Sequence, residues 1–260
     1  MTIKISACLV IYNEEKVIKR CLDSLKDAVD EIIIVHDGPC SDKTLDICRK
    51  YTKKIFIRDR VGEAEPHRPF CLEQASGEWV LTIDADEYMT EEFRKNIRKL
   101  VENKSVDGYT VIWPLYHKGK KITFGPLSRL HRLALFRKDK TTISGVVHDW
   151  YNVSGNIKGV DFVLEHRPLT ELHTYKLFKK KDIKWAFVQA KHLIKNNKAK
   201  HPAFFYAIKA VIWFTLIFPY FLILKILFIY GFLGIRMSFL EALYNFYVNW
   251  YIFKIKLRKN

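Results

Sequence analysis

The sequence predicts an α/β protein: a mostly parallel sheet with helices on both faces, followed by C-terminal helices that associate with a membrane. Three observations carry this expectation. Residues 1–100 alternate between β-rich apolar runs and amphipathic helical runs, the rhythm of strands joined by helical crossovers. The strand runs are almost continuously apolar, as expected where both faces of a sheet are covered. Residues 203–234 form an apolar stretch in which Lys209 and Lys225 are the only charges.

Taken in order, "KISACLVIYN" is a strand of β-branched and apolar residues. "EEKVIKRCLDSLKDA" is an amphipathic helix, with Ile18, Cys21, Leu22 and Leu25 at helical spacing and acids in its first turn. "EIIIVH" is a short buried strand, and "SDKTLDICRKY" a helix capped by Ser41 or Asp42. "KIFIRD" is a strand, "PFCLEQAS" a short helix, "EWVLTID" a strand and "EEFRKNIRKLVEN" a helix. Beyond residue 107 the runs "DGYTVIWPLYH", "LHRLALFRK", "TTISGVVHDW" and "DFVLEH" are strand-like and turn-rich, so this half of the sheet is expected to be mixed. "HTYKLFKKKDIKWAFVQAKHLIKNN" is a long basic helix with an apolar stripe of Ile183, Ala186, Phe187, Ala190, Leu193 and Ile194.

The apolar stretch after it exceeds the roughly 20 residues that a membrane span needs, and Pro219 in its middle predicts a kink. In the following segment, "SFLEALYNFYVNWYIFKIKLRKN", Glu241, Asn245 and Asn249 recur every four positions and share one helical face. Lysines flank both ends of the region. A single crossing would leave one basic cluster on the wrong side, whereas a hairpin or a kinked re-entrant pair keeps both on the cytoplasmic face. A buried helix pair is the plain alternative.

The net charge of +16 is unevenly spread: residues 1–100 carry 17 Lys/Arg against 19 Asp/Glu, and residues 101–260 carry 27 against 9. Such a basic half suits an anionic partner, whether nucleic acid, a phosphorylated substrate or an acidic membrane surface, or is simply a solvated face. No nucleic-acid-binding motif occurs, so nucleic acid is not an expected partner. The five cysteines show no CxxC spacing and read as reduced, buried thiols of a cytosolic environment.

The chemistry concentrates in "GEWVLTIDADEYMT". Asp84 and Asp86 stand two apart at a strand end and can converge, with Glu87 next. Close carboxylates either share a proton or bind a cation. Mg²⁺ and Mn²⁺ accept one or two protein carboxylates and complete their shells with water and phosphate oxygens. The bland reading is a turn followed by a helix cap. Asp37, in "EIIIVHDGPCSDKT", lies at another strand end, where a carboxylate can accept from an N–H of a bound base or simply make an Asp-Gly turn.

"SACLVIYNEEKVIKRCLDSL", "EIIIVHDGPCSDKTLDI" and "ASGEWVLTIDADE" resemble, in order and nearly without gaps, the family-2 glycosyltransferases of GT-A fold, and most of all the branch that builds lipopolysaccharide core. The resemblance implies a catalytic domain over residues 1–200 and membrane-associated helices over 201–260. It implies that Tyr12, Asn13 and Glu14 line the donor nucleotide, that Asp37 holds the base, that Asp84 faces the ribose and that Arg68 helps hold the diphosphate. Asp86 would bind a divalent cation, Mg²⁺ or Mn²⁺, with His148 and His166 able to approach it. Asp149 would be the general base of an inverting transfer from a nucleotide-sugar donor to a glycan or lipid-linked acceptor at the cytoplasmic face of the cell membrane. Pro39 and Cys40 depart from the family's usual Gly-Ser, Asp149 is one methylene shorter than the common Glu, and the Gln-x-x-Arg-Trp element of processive synthases is absent. Trp113, Tyr116, Trp150 and Tyr151 are candidates for stacking on acceptor sugars, or core residues. The competing functions are a nucleotidyltransferase acting on sugar phosphates, for which the first loop lacks glycine, and a non-catalytic basic protein bound to a membrane surface.

Overall fold

A computed structural model describes residues 3–145, 151–170 and 173–258. They divide into two compact units, one of residues 3–123, 127–145 and 151–170, the other of residues 124–126 and 173–258.

The first unit is built on β1 (Ile5–Ile11), α1 (Ile18–Leu25), β2 (Glu31–Asp37), α2 (Thr44–Cys48), β3 (Ile55–Arg58), α3 (Arg68–Gln74), β4 (Trp79–Thr82), β5 (Glu87–Met89), α4 (Glu91–Val101) and β6 (Gly108–Ile112). The small hairpin β7 (Tyr116–His117) and β8 (Lys120–Lys121) precedes β9 (His131–Arg137). A second short pair, β10 (Thr141–Thr142) and β11 (Asn152–Val153), precedes the long β12 (Ile157–His166). Among the described residues, eight strands form one sheet in the order β3-β2-β1-β4-β9-β6-β12-β5. The β3-β2-β1-β4 half is parallel, β9 is antiparallel to both its neighbours, β12 is parallel to β6, and β5 is antiparallel to β12. This is the mixed second half that the turn-rich sequence implied.

β1 lies in the middle of the parallel half and is buried along its whole length. Its alternate residues Ile5, Ala7, Leu9 and Ile11 pack with Leu22 of α1 and Phe93 of α4, while Cys8 and Val10 face Leu72 and Cys71 of α3. Helices therefore cover both faces, and each fully buried Leu, Ile or Phe contributes about 1.5–3 kcal/mol of burial energy. Gly77 is forced where β4 begins, because a Cβ there would sit 2.8 Å from the Lys4 carbonyl and 2.9 Å from the Ser6 nitrogen. All five cysteines are free, and four are buried. Burial pushes the Cys48 thiol up to about 12, so it stays protonated.

Parallel pairing brings the carboxyl ends of β1, β2 and β4 to one edge. The residues that follow them, Tyr12 to Glu14, Gly38 and Asp84 to Asp86, therefore converge there, as open α/β sheets arrange their binding crevice.

In the second unit, α5 (Tyr175–Leu177) runs through a π-helical turn, Phe178–Asp182, into α6 (Ile183–Lys195). Ala186 and Ala190 of its stripe are buried against Tyr206, Val248 and Ile252, whereas Phe187 is exposed. α7 (Ala203–Pro219) and α8 (Phe232–Leu257) pair antiparallel, with Phe204 against Phe253 and Phe214 against Phe246. Pro219 ends α7, and a π-helical turn, Tyr220–Leu224, follows. Ile226 and Gly231, both at positive φ, then reverse the chain into α8. Gly234 is obligatory there: a Cβ would fall 1.7 Å from the Leu227 carbonyl oxygen. Ala203–Leu224 is long and apolar enough to cross a membrane, and only 6% of an 18-residue window within it is buried. Glu241, Asn245 and Asn249 do share a face, where each asparagine amide donates to the carbonyl four residues before it.

Candidate active site at the carboxyl edge of the sheet

The site is assembled from three loops and one neighbouring strand end. After β1, Asn13 takes a left-handed φ of 52°. Its side chain clasps Ser41 in both directions, donating to Oγ at 2.6 Å and accepting the Ser41 amide at 3.0 Å. The Glu14 amide donates to Thr44 Oγ1 at 2.6 Å, so the β1 loop is fastened to the start of α2. Tyr12 lies on the surface with the Arg60 guanidinium 3.3 Å above its ring centre.

Asp37 ends β2 and is buried. Oδ1 accepts from the Val61 amide at 2.6 Å and faces His67 Nε2 at 2.9 Å; Oδ2 accepts from the Gly62 amide at 2.9 Å and from Arg60. Burial alone would raise its pKa, but these donors outweigh burial and hold it below the usual carboxylate range. Two oxygens offer about four acceptor positions, and four protein groups fill them. The carboxylate expected to receive a base is thus also the anchor of the loop after β3.

At the end of β4 the three carboxylates have different surroundings. Asp84 pairs with Arg68 Nη2 at 2.9 Å and lies 3.7 Å from Arg132 Nη1. Burial opposes its ionisation, yet the two guanidiniums bring its pKa down to about 2. Glu87 is wholly buried. It accepts the Asp84 amide at 2.8 Å and the Trp113 indole N–H at 2.6 Å, and it pairs with Arg132. Burial and the charge of Asp84 raise its pKa against the pull of Arg132. Asp86 points elsewhere: its Oδ2 is 3.4 Å from Nε2 of His166, the last residue of β12, which the antiparallel register sets opposite Glu87. The Asp86 carbonyl accepts the Arg167 amide at 2.8 Å, fixing the loop to β12. Beside Asp84 opens a cavity of about 390 Å³, lined also by Trp113, His131, Arg132 and Tyr151.

Of the sequence-predicted residues, Asp84 pairs with Arg68 and Asp86 with His166 at the end of β4. Tyr12, Asn13, Glu14 and Asp37 gather at the ends of β1 and β2. His148 and Asp149, and with them Trp150, lie outside the described residues. Arg60, His67 and Arg132 were not singled out from sequence. Arg132 left one signal, a cation set before the apolar run "LALF" of its own strand. Arg60 and His67 left none.

The donor set suits a divalent cation. Asp86 supplies a carboxylate and His166 an imidazole, while Asp84 and Glu87 are held by arginines. Among the described residues no group of three or more His, Cys, Asp or Glu is poised to enclose a metal. Such a sparse set fits an ion that fills its remaining positions with water and substrate phosphate oxygens.

An uncharacterized glycosyltransferase of Rickettsia typhi is 28% identical over 257 residues, covering 94% of this chain and 84% of its own. Among solved structures, Staphylococcus aureus TarS 1–349 in complex with UDP-GlcNAc is 18% identical with a TM-score of 0.48, over 72% of this chain and 66% of that one. Mycobacterium tuberculosis glucosyl-3-phosphoglycerate synthase with Mn²⁺, UDP and phosphoglyceric acid is 16% identical with a TM-score of 0.49, over 74% and 78%. The family model of glycosyl transferase family 2 matches residues 6–161, and the chain belongs to that family.

Proposed function

We propose that this glycosyltransferase moves a sugar from a nucleotide-diphosphate donor to a glycan or lipid-linked acceptor, with a divalent cation and with inversion at the anomeric carbon. The observation that carries the reading is the split fate of Asp84 and Asp86: the first is neutralised by Arg68 and Arg132, the second is turned to His166. Asp86 and His166 would hold the cation, with His148 a third candidate by family resemblance. When bound, the cation would offset the charge that gathers on a departing diphosphate. Asp84, kept ionised, is an acceptor for ribose hydroxyls. Arg68 adds a positive charge beside it. The Tyr12–Arg60 stack offers a flat surface near the β2 end for a base. Asp149 is the proposed general base, on the resemblance alone; a single base without a covalent nucleophile gives inversion.

Family membership favours sugar transfer over nucleotidyl transfer to a sugar phosphate, and over a non-catalytic surface protein. The exposed apolar length of α7, with lysines flanking the α7–α8 pair, supports attachment to the cytoplasmic face of the cell membrane, where a lipid-linked acceptor resides.

The test is release of nucleotide from a panel of sugar nucleotides by the full chain in detergent, with Mn²⁺, with Mg²⁺ and with a chelator. Turnover should require the ion and disappear in Asp86→Ala. Full activity of that variant in chelator would overturn the reading.

A further inference from the structure

Trp113 follows β6 directly, and three contacts fix it. Its backbone N–H donates to the Leu130 carbonyl at 2.7 Å. Its indole N–H donates to Glu87 Oε1 at 2.6 Å, and Glu87 is itself held by Arg132 and the Asp84 amide. One face of the indole lies on the His166 imidazole, with ring centres 4.2 Å apart and planes 17° from parallel. His166 then presents Nε2 toward Asp86 at 3.4 Å.

An imidazole at a strand end can turn about two side-chain bonds, and an anchored indole face against it removes most of that freedom. From this geometry we infer that Trp113 is a positioning residue for the cation, fixing the imidazole plane of His166 so that a nitrogen and the Asp86 carboxylate meet at one point. The inference rests on the cation reading above and extends it to metal choice. Mg²⁺ strongly prefers oxygen, while later first-row ions gain more from an imidazole nitrogen. A locked His166 therefore biases the site toward Mn²⁺ and Co²⁺ and away from Mg²⁺. The same indole lines the cavity beside Asp84, so the residue that fixes the metal ligand also forms a wall of the space next to the reacting centre.

The test reads metal binding rather than turnover. Mn²⁺ is titrated into the full chain in detergent and the free ion followed by EPR; Mg²⁺ is measured by competition. Loss of an outer partner of a metal ligand costs about 10–100-fold in affinity. Trp113→Ala should weaken Mn²⁺ by about that factor and Mg²⁺ by less than about threefold, so that the preference falls. His166→Ala should show at least as low a preference, and the double variant no more loss than His166→Ala alone, because Trp113 acts through that ligand. Trp113→Phe keeps a ring on the imidazole without the N–H anchor, and should fall between. Its far-ultraviolet circular dichroism checks that the fold survives. Equal loss of both ions in Trp113→Ala, or additive losses in the double variant, would overturn the role of Trp113 while leaving the cation site standing. No Mn²⁺ binding by the parent protein would remove the cation reading itself, and this inference with it.

Discussion

Replacing Arg132 with leucine takes the cation from a carboxylate that has no contact with solvent. The Glu87 side chain is 0% exposed and that of Arg132 9%. Without the guanidinium, Glu87 keeps the Asp84 amide and the Trp113 indole but loses its counter-charge. Burial already raises its pKa, with Arg132 opposing, so the cheapest response is to take up a proton. A carboxyl group titrates near 4.3 in the unfolded chain, so holding it protonated at pH 7 costs about 2.7 units at about 1.4 kcal/mol each, or about 3.7 kcal/mol. That agrees with the roughly 3–5 kcal/mol for breaking a buried ion pair. The sign follows from linkage. A group whose folded pKa lies above its unfolded value destabilises the fold at high pH, and the penalty fades as pH falls toward the unfolded pKa. Because the parent already carries part of this cost through its own raised pKa, the loss in Arg132→Leu should be at most about 3.7 kcal/mol at pH 7 and shrink to at most about 1 kcal/mol at pH 5. Adding Glu87→Gln removes the charge. Gln can accept on one atom only, so the double variant should show a loss of about 1–3 kcal/mol with no pH slope beyond that of the parent. Urea unfolding of the full chain in mild detergent, followed by tryptophan fluorescence from pH 5 to 7.5, measures both. A loss in Arg132→Leu that is flat with pH would refute the reasoning.

Three further outcomes follow from the same surroundings. Glu31 is held at a pKa of about 2 because bonds from Lys54, the Ser6 hydroxyl and the Ser76 amide outweigh the opposing effect of burial. A depressed pKa stabilises the fold above the unfolded value and is lost as pH falls through the folded one. After allowance for the half-exposed Lys54, Glu31→Gln should therefore cost about 1–2 kcal/mol at neutral pH, with the gap to the parent closing below about pH 4 in thermal unfolding. Asp37→Asn turns one acceptor oxygen into a donor facing either the Val61 amide and His67 or the Gly62 amide and Arg60, so it should cost about 1–3 kcal/mol and raise the donor KM more than it lowers kcat. Unchanged stability would contradict the four-bond anchor. Leu216 and Ile223 are exposed on the apolar stretch. Replacing both with glutamate should lower retention on anionic vesicles in flotation by well over tenfold, since each charge costs about 2–3 kcal/mol in a bilayer.

The strands and the carboxylate motif were legible because their information is local. β1, β2 and β4 are continuous apolar runs, and Asp84 and Asp86 stand where such a run stops. The start of α1 was not. The acids Glu14 and Glu15 read as its first turn, yet the helix begins at Ile18. The amides of Glu14 and Glu15 are taken by Thr44 and Asp42, residues some thirty positions ahead that pairing of β1 with β2 brings alongside. The same limit hides the partners of Asp37: Arg60 and His67 reach it only after β3 is laid beside β2. The sequence offers Trp113 as a surface for sugars or as a core residue; in the structure it lines the cavity beside Asp84. Its second contact, with His166, depends on β12 adding parallel to β6, which no spacing in the sequence encodes.

Charge balance explains why three carboxylates can crowd one strand end. Asp84, Asp86 and Glu87 bring three negative charges, and Arg68 and Arg132 supply two positive ones, both aimed at Asp84 or Glu87. One negative charge is left over, and it resides on Asp86, the one of the three that neither arginine pairs with. A site balanced to zero would hold a cation weakly. One carrying all three charges uncompensated would repel a diphosphate and strain the fold. With two carboxylates neutralised by fixed arginines, a divalent ion on the remaining one, as proposed above, would leave the assembly with a net positive charge, the sign that a diphosphate requires. Removing either arginine should therefore harm donor binding even though neither needs to touch the cation. Removing Asp86 should harm it by a different route, through a weakened hold on the ion, so that added Mn²⁺ restores part of the affinity in the Asp86 variant and none in the arginine variants.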